Sequence, residues 1–214
     1  LSKKLGKGID KIVMGTAIVL AVVLSIGLFF VIPELVARGL KALIPNQNWL
    51  VNLLSGIVRI LILIGYILFC CTVPDVRRTF QYHGAEHKTI NCYEQGLDLT
   101  VENVRNQTTR HPRCGTSFMF LVMIVSILVF SVVSWNNVFI RMLLRIIMLP
   151  IVVGISYELI KIAGRYDNWF TKIISAPGKA LQGLTTAEPD DSMIEVAIEA
   201  MKLVIPEEKG SDKW

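Results

Sequence analysis

The chain has 214 residues, of which 53% are apolar and only 18% charged, and its mean hydropathy is +0.55. Ordinary soluble domains are about 45–50% apolar and about 25% charged, so the composition argues against a soluble globular protein and for membrane-spanning segments. The formal net charge of +5 suits an anionic membrane surface; without a compact stripe of basic and aromatic residues, no specific nucleic-acid recognition is expected.

A helix crosses the bilayer with about 20 consecutive apolar residues, because each backbone polar group must be satisfied within the helix. Residues 12–32 carry no charge and form the first predicted span. The run exceeds the roughly 7–15 residues of a signal-peptide core and continues into Pro33, so it reads as a stable anchor. Between Pro33 and Pro45, the spacing of Leu35, Val36, Leu40, Leu43 and Ile44 predicts a short interfacial helix. The second span, residues 49–71, opens on Trp49 and contains one charge, Arg59, expected to face the bundle interior against backbone carbonyls.

Residues 72–116 form a polar segment that contains every histidine of the chain and is too short to bury much core alone. The third span covers residues 117–135, Asn136-Asn137 suits a tight turn, and the fourth span covers residues 138–164. Within the fourth, Arg141 can snorkel outward and Arg145 lies one turn deeper. Glu158, near the opposite end, is expected to pair with Arg77 or Arg78 or to orient a ligand histidine. In the tail, Trp169 and Phe170 suit an interfacial helix broken at Pro177-Gly178. A further helix is predicted from Ser192 to Val204, with Ser192 and Glu195 as a capping box and Pro206 as the stop. Its face of Ile194, Ala197, Ile198, Met201 and Ile205 has to dock, most economically on the central segment or on the ends of the spans.

Lys and Arg near span ends set orientation. Lys3, Lys4, Lys7 and Lys11 precede the first span, and Arg77, Arg78, Lys88, Arg105, Arg110 and Arg113 fall in the central segment, whereas the loop after the first span has only Arg38 and Lys41. Both termini and the central segment are therefore expected in the cytoplasm. The predicted fold is an all-α membrane protein of about four transmembrane helices. Residues 1–71 form the first two spans with the interfacial helix, 72–116 a cytoplasmic His/Cys-rich segment, 117–164 a transmembrane hairpin and 165–214 a cytoplasmic amphipathic tail.

The chemistry-bearing residues lie in "YHGAEHKTINCYEQG" and "RHPRCGTSF". His83 and His87, four apart, project from one helix face and can meet one cation. With Glu86 between them they follow the H-x-x-E-H order of inverted zinc peptidases, in which the glutamate takes a proton from water at the metal. His111 and Cys114 have the spacing of a zinc-knuckle half-site. Four ligands (His83, His87, His111 and Cys114) would make a closed structural site, whereas three would leave a position for water and a role for Glu86 as catalytic base. Cys92, Glu94 and Glu158 are spare candidates. Cys70, Cys71, Cys92 and Cys114 do not suggest a disulfide framework.

These motifs, with "SYELIK" and "PGKALQGLTTAEPDDSMIEVAIEA", resemble the YqhQ-like family of bacterial multi-pass membrane proteins, in matching order from about residue 75 to 203. The resemblance implies location in the bacterial inner membrane, a divalent metal cofactor, zinc by its ligands, and His83, Glu86, His87, His111 and Cys114 as the working residues of a group of unknown function thought to be metal-dependent enzymes. A metal-dependent hydrolase is one expectation. The other is a non-catalytic assembly or scaffold factor whose cytoplasmic face docks a membrane-protein complex, such as protein-insertion machinery. Family members carry a further amino-terminal segment rich in Gly and Met, so this chain, starting at Leu1, is expected to be part of a longer protein.

Overall fold

The structure is a computed structural model that describes residues 2–132, 138–166 and 168–207, with the backbone alone described for residues 2–10, 132, 138, 139, 141 and 142. Every regular element among these residues is helical. The chain divides into two units, Leu1–Leu63 with Phe130–Ser134, and Ile64–Val129 with Trp135–Trp214.

In the first unit, α1 (Ser2–Ile26) continues through a single π-helical segment (Gly27–Val31) into α2 (Ile32–Leu43) without a loop. The interfacial helix expected between Pro33 and Pro45 is therefore a continuation of the first span. Proline lacks an N–H, and its ring would strike the carbonyl four residues back in a regular α-helix; the wider turn, closed by Ile32 N–H donating to Gly27 O, relieves that crowding. The amphipathic spacing of α2 is kept, with Arg38 and Glu34 one turn apart at 3.8 Å. Helix α3 (Asn48–Cys70) follows, with Arg59 half-buried. Asn52 Nδ2 donates to Phe130 O at 3.2 Å, tying the start of α3 to the far end of α6 (Gly115–Val132).

Among the described residues three runs are long and apolar enough to cross a membrane: Lys11–Leu43, Asn48–Cys70 and Leu143–Arg165, the last within α7 (Val138–Arg165). The apolar run Gly115–Ser131 of α6 is shorter. The turn expected at Asn136-Asn137 lies outside the described residues.

The second unit is built on α4 (Pro74–Glu94). Val73 is extended, as a residue before proline prefers, Pro74 occupies the first turn, and Asp75 places a negative charge at the positive end of the helix dipole. Helix α5 (Val101–Arg105) starts where Thr100 accepts a hydrogen bond from Asn103 N–H. Helices α4, α5 and α9 (Asp191–Lys202) enclose Ala85, Cys92, Val104, Met193, Ile194 and Ile198. Each large aliphatic side chain so buried contributes about 1.5–3 kcal/mol. The tail helix thus docks on the central segment, as its apolar face requires. It starts earlier than its sequence suggests, because Asp190 accepts from Met193 N–H while Ser192 Oγ donates to Asp190.

Helix α8 (Trp169–Thr185) opens on a capping box formed by Asn168 and Thr171 and runs through Pro177-Gly178, where a break was expected. Packing explains its continuity. Gly178 lies so close to α6 that a Cβ there would sit 2.7 Å from Ser117 Cβ and Oγ, and a packed helix tolerates one lost backbone hydrogen bond that a free one would not.

Candidate metal and nucleophile site

Helix α4 sets His83 and His87 one turn apart, with ring centroids 4.4 Å from each other. The same face of α4 fastens the loop that carries Cys114. Lys88 Nζ donates to Arg105 O at 2.9 Å, Asn91 Nδ2 to Thr108 O at 2.9 Å and to Arg110 O at 3.1 Å, and His87 Nδ1 to Thr109 O at 2.6 Å. A loop without regular structure needs its carbonyls satisfied, and here α4 supplies the donors. Lys88 is buried, and its charge is met by Glu188 at 2.8 Å.

Gln182 of α8 holds the loop from the other side. Fully buried, it accepts from His111 N–H at 2.9 Å and donates through Nε2 to His111 O at 2.7 Å and Ser117 Oγ at 2.6 Å. Cys114 lies midway between those two anchors. Its sulfur is 3.3 Å from His83 Nε2 and 3.0 Å from Thr116 Oγ1.

A carbonyl can only accept, so the contacts of His83 Nδ1 with Thr185 O at 2.9 Å and of His87 Nδ1 with Thr109 O at 2.6 Å place the ring proton on Nδ1 in both neutral imidazoles. His83 Nε2, 3.3 Å from the Cys114 sulfur, donates to the thiolate when the ring is protonated and offers a lone pair when it is neutral. One ligand atom from each of His83, His87 and Cys114 lies within 4.8 Å of the others. Burial alone would push the Cys114 thiol up, but hydrogen bonds with His83, His87 and Thr116 outweigh it and hold the thiol at about 4. The same bond to Cys114 raises the pKa of His83.

His111 is not brought into this group. Its Nδ1 accepts from Arg113 N–H at 3.2 Å, so Nε2 carries the proton and donates to Glu94 Oε2 at 3.1 Å, leaving no lone pair for a cation. Arg113 also pairs with Glu94. The hydrogen bond from His111, aided by Arg113, holds the Glu94 carboxyl below its ordinary value.

Glu86 points elsewhere too. Exposed, it lines a groove of about 340 Å³ with Tyr82, Ile90 and the α9 residues Val196 and Met201, and reaches His83 only by its charge. Cys114 instead opens on a cleft of about 270 Å³ lined by Arg113, Phe118, Tyr157, Ile160 and Lys161. Of the spare candidates, Cys92 lies in the apolar core, where burial raises its pKa, and Glu158 is 3.8 Å from Lys161 on its own helix, in place of the expected Arg77 or Arg78.

The sequence reading missed Gln182, Thr185 and Thr109. Carbonyl partners leave no mark in a sequence. Gln182 does leave a faint one, an amide between Leu181 and Thr185 on the buried stripe of α8.

The family described as "Protein of unknown function (DUF1385)" matches residues 2–207. The "Uncharacterized protein YqhQ" of Bacillus subtilis (strain 168) is 39% identical over 196 residues, covering 91% of this chain. The chain spans only 61% of the length of that curated relative. No solved structure matches.

Proposed function

This chain belongs to the DUF1385 family, whose function is unknown, and we propose that it is a multi-pass membrane protein that holds a divalent cation at His83, His87 and Cys114 and uses it in hydrolysis at the membrane surface. The observation that carries the reading is the convergence of two Nε2 lone pairs and one sulfur within 4.8 Å, with both rings anchored through Nδ1. Without a cation a proton between His83 Nε2 and the Cys114 sulfur holds the pair at 3.3 Å, and a divalent cation would take its place. Histidine ligands anchored in this way are the usual pattern around zinc, and a two-nitrogen, one-sulfur set suits zinc over magnesium or calcium.

When bound, the cation would supply Lewis-acid chemistry and lower the pKa of water in the position that three protein ligands leave open. The chain's own residues do the positioning. Thr185 and Thr109 orient the two imidazoles, Thr116 steadies the thiolate, and Gln182 holds the loop. Glu86, the base expected from the sequence, faces the α9 groove and adds only its charge at His83.

Three long apolar helices support bilayer residence. We take α6 as a fourth span, since its 18 residues rise about 27 Å against a hydrocarbon core of about 30 Å. The basic residues of the central segment and tail support a cytoplasmic site in a bacterial inner membrane.

A second reading, a structural staple within a scaffold factor, is favoured by the burial of Cys114, 6% exposed, and by the way the group ties α4 to the loop before α6. X-ray absorption at the zinc edge of the purified protein tests both. Two nitrogens, one sulfur and one exchangeable oxygen are expected, with Cys114→Ser losing the sulfur signal and weakening the metal. A fourth protein ligand would support the staple, and protein that neither contains nor takes up metal would remove both readings.

A further inference from the structure

The cleft beside Cys114 has walls of two kinds. The loop before α6 contributes Arg113 and Cys114, α6 contributes Phe118, and the later turns of α7 contribute Tyr157, Ile160 and Lys161. Two cations and a phenol therefore share the lining with aromatic and aliphatic carbon, a composition suited to a ligand with an anionic head and an apolar tail.

Depth narrows the choice. Leu143–Arg165 is long and apolar enough to span the bilayer, and Lys161 lies four residues, about 6 Å of helix rise, before its end. Beyond that end Tyr166, Trp169 and Phe170 are 53%, 74% and 47% exposed, an aromatic cluster of the kind that sits at headgroup level. Below the cleft, Ile151, Val153 and Ile155 present exposed aliphatic surface on α7. With Leu143–Arg165 taken as a span, the cleft would lie at the level of the lipid phosphates and its flank along their acyl chains.

The two cations differ in freedom. The methylenes of Arg113 cross α7 at Gly164, where an added Cβ would lie 2.7 Å from them, and its guanidinium pairs with Glu94. Lys161 is 40% exposed and only 3.8 Å from the more exposed Glu158. Such a surface pair is weak and readily exchanged for a phosphate.

We propose that this cleft binds the phosphate headgroup of an anionic membrane phospholipid, with Lys161 as the exchangeable cation, so that the substrate class of the site is an anionic phospholipid. The inference deepens the hydrolase reading and rests on it for the chemistry, while the binding rests on the cleft.

The full chain, delipidated in nonionic detergent, is titrated with dioctanoyl phosphatidylglycerol, dioctanoyl phosphatidylcholine or inorganic phosphate, and bound species are counted by native mass spectrometry. Phosphatidylglycerol should bind at one saturable site, roughly fivefold more tightly than phosphatidylcholine, the factor expected of one basic residue at an anionic surface. Lys161→Gln should abolish that preference and Lys161→Arg should restore it. Should Lys161→Gln lose helical circular dichroism, Glu158→Gln carries the test and should tighten phosphatidylglycerol binding. Equal binding of the two lipids, no response to these variants, or free phosphate displacing phosphatidylglycerol at comparable concentration overturns the proposal. Zinc content measured in the same samples keeps the two readings apart. A lipid preference without zinc leaves the cleft standing and removes the metal, and zinc without a lipid preference does the reverse.

Discussion

Replacing Gln182 by Leu, which is close in size but has no amide, should both weaken the fold and loosen the candidate metal group. The side chain is fully buried and serves three partners: His111 N–H, His111 O and Ser117 Oγ. A buried polar group left without its partner costs about 1–3 kcal/mol. The Ser117 hydroxyl oxygen loses one donor and can rotate toward another, so the two backbone groups of His111 dominate and the net loss is about 2–6 kcal/mol, a large share of the roughly 5–15 kcal/mol available to a domain. Since His111 and Ser117 bracket Cys114, freeing both lets the sulfur drift from His83, and loss of such support around a metal typically weakens affinity about 10–100-fold. The assay is thermal unfolding in detergent by circular dichroism, alongside zinc affinity by competition with a chromophoric chelator. Gln182→Glu, which keeps the acceptor for His111 N–H and loses the donor, should fall between Leu and wild type. A Leu variant with wild-type melting temperature and wild-type zinc affinity would refute the reasoning, because no buried amide latch could then be holding the loop.

Gly84→Ala should destabilise the docking of the tail even though alanine favours helix by about 1 kcal/mol. The new methyl would run into the backbone carbonyl of Ala187, and the hydrogen bond of Ala187 N–H to Phe80 O would go with it; faster amide exchange in α9 than in wild type checks this. Ile194→Ala, at a site 1% exposed in the core of α4, α5 and α9, should cost about 2–5 kcal/mol, read as a lower melting temperature with unchanged zinc content. On the acid side, the lowered pKa of Glu94 means that the folded chain binds fewer protons there than the unfolded chain. That stabilisation is fully present above the unfolded value of about 4.3 and is lost as pH falls through the lower folded value. Melting temperatures followed from about pH 7 to about pH 3 should therefore drop less steeply for Glu94→Gln than for wild type; parallel curves would show that the contact of Glu94 with His111 and Arg113 does not matter to stability.

The sequence alone determined the helical class and the runs apolar enough to cross a membrane, because both follow from local properties: runs of charge-free apolar residues, proline and aspartate at helix starts, and an apolar stripe on residues 194–201. It also marked His83 and His87, since their spacing of one helical turn guarantees a shared face. Its local signals were overridden wherever packing outweighed propensity. Pro177-Gly178 reads as a break, yet the close contact of Gly178 with Ser117 holds it in a continuous helix, and a π turn carries the first span past Pro33 without a loop. Only the tertiary structure decided which of two residues three apart, His111 or Cys114, joins the histidine pair. Spacing treats them alike, but the ring nitrogens of His111 are taken by Arg113 and Glu94, while the sulfur of Cys114 is turned toward His83. The reason is physical: coordination depends on where lone pairs point, and that direction is set by Thr109, Thr185 and Gln182, partners that reach the site from other segments of the chain.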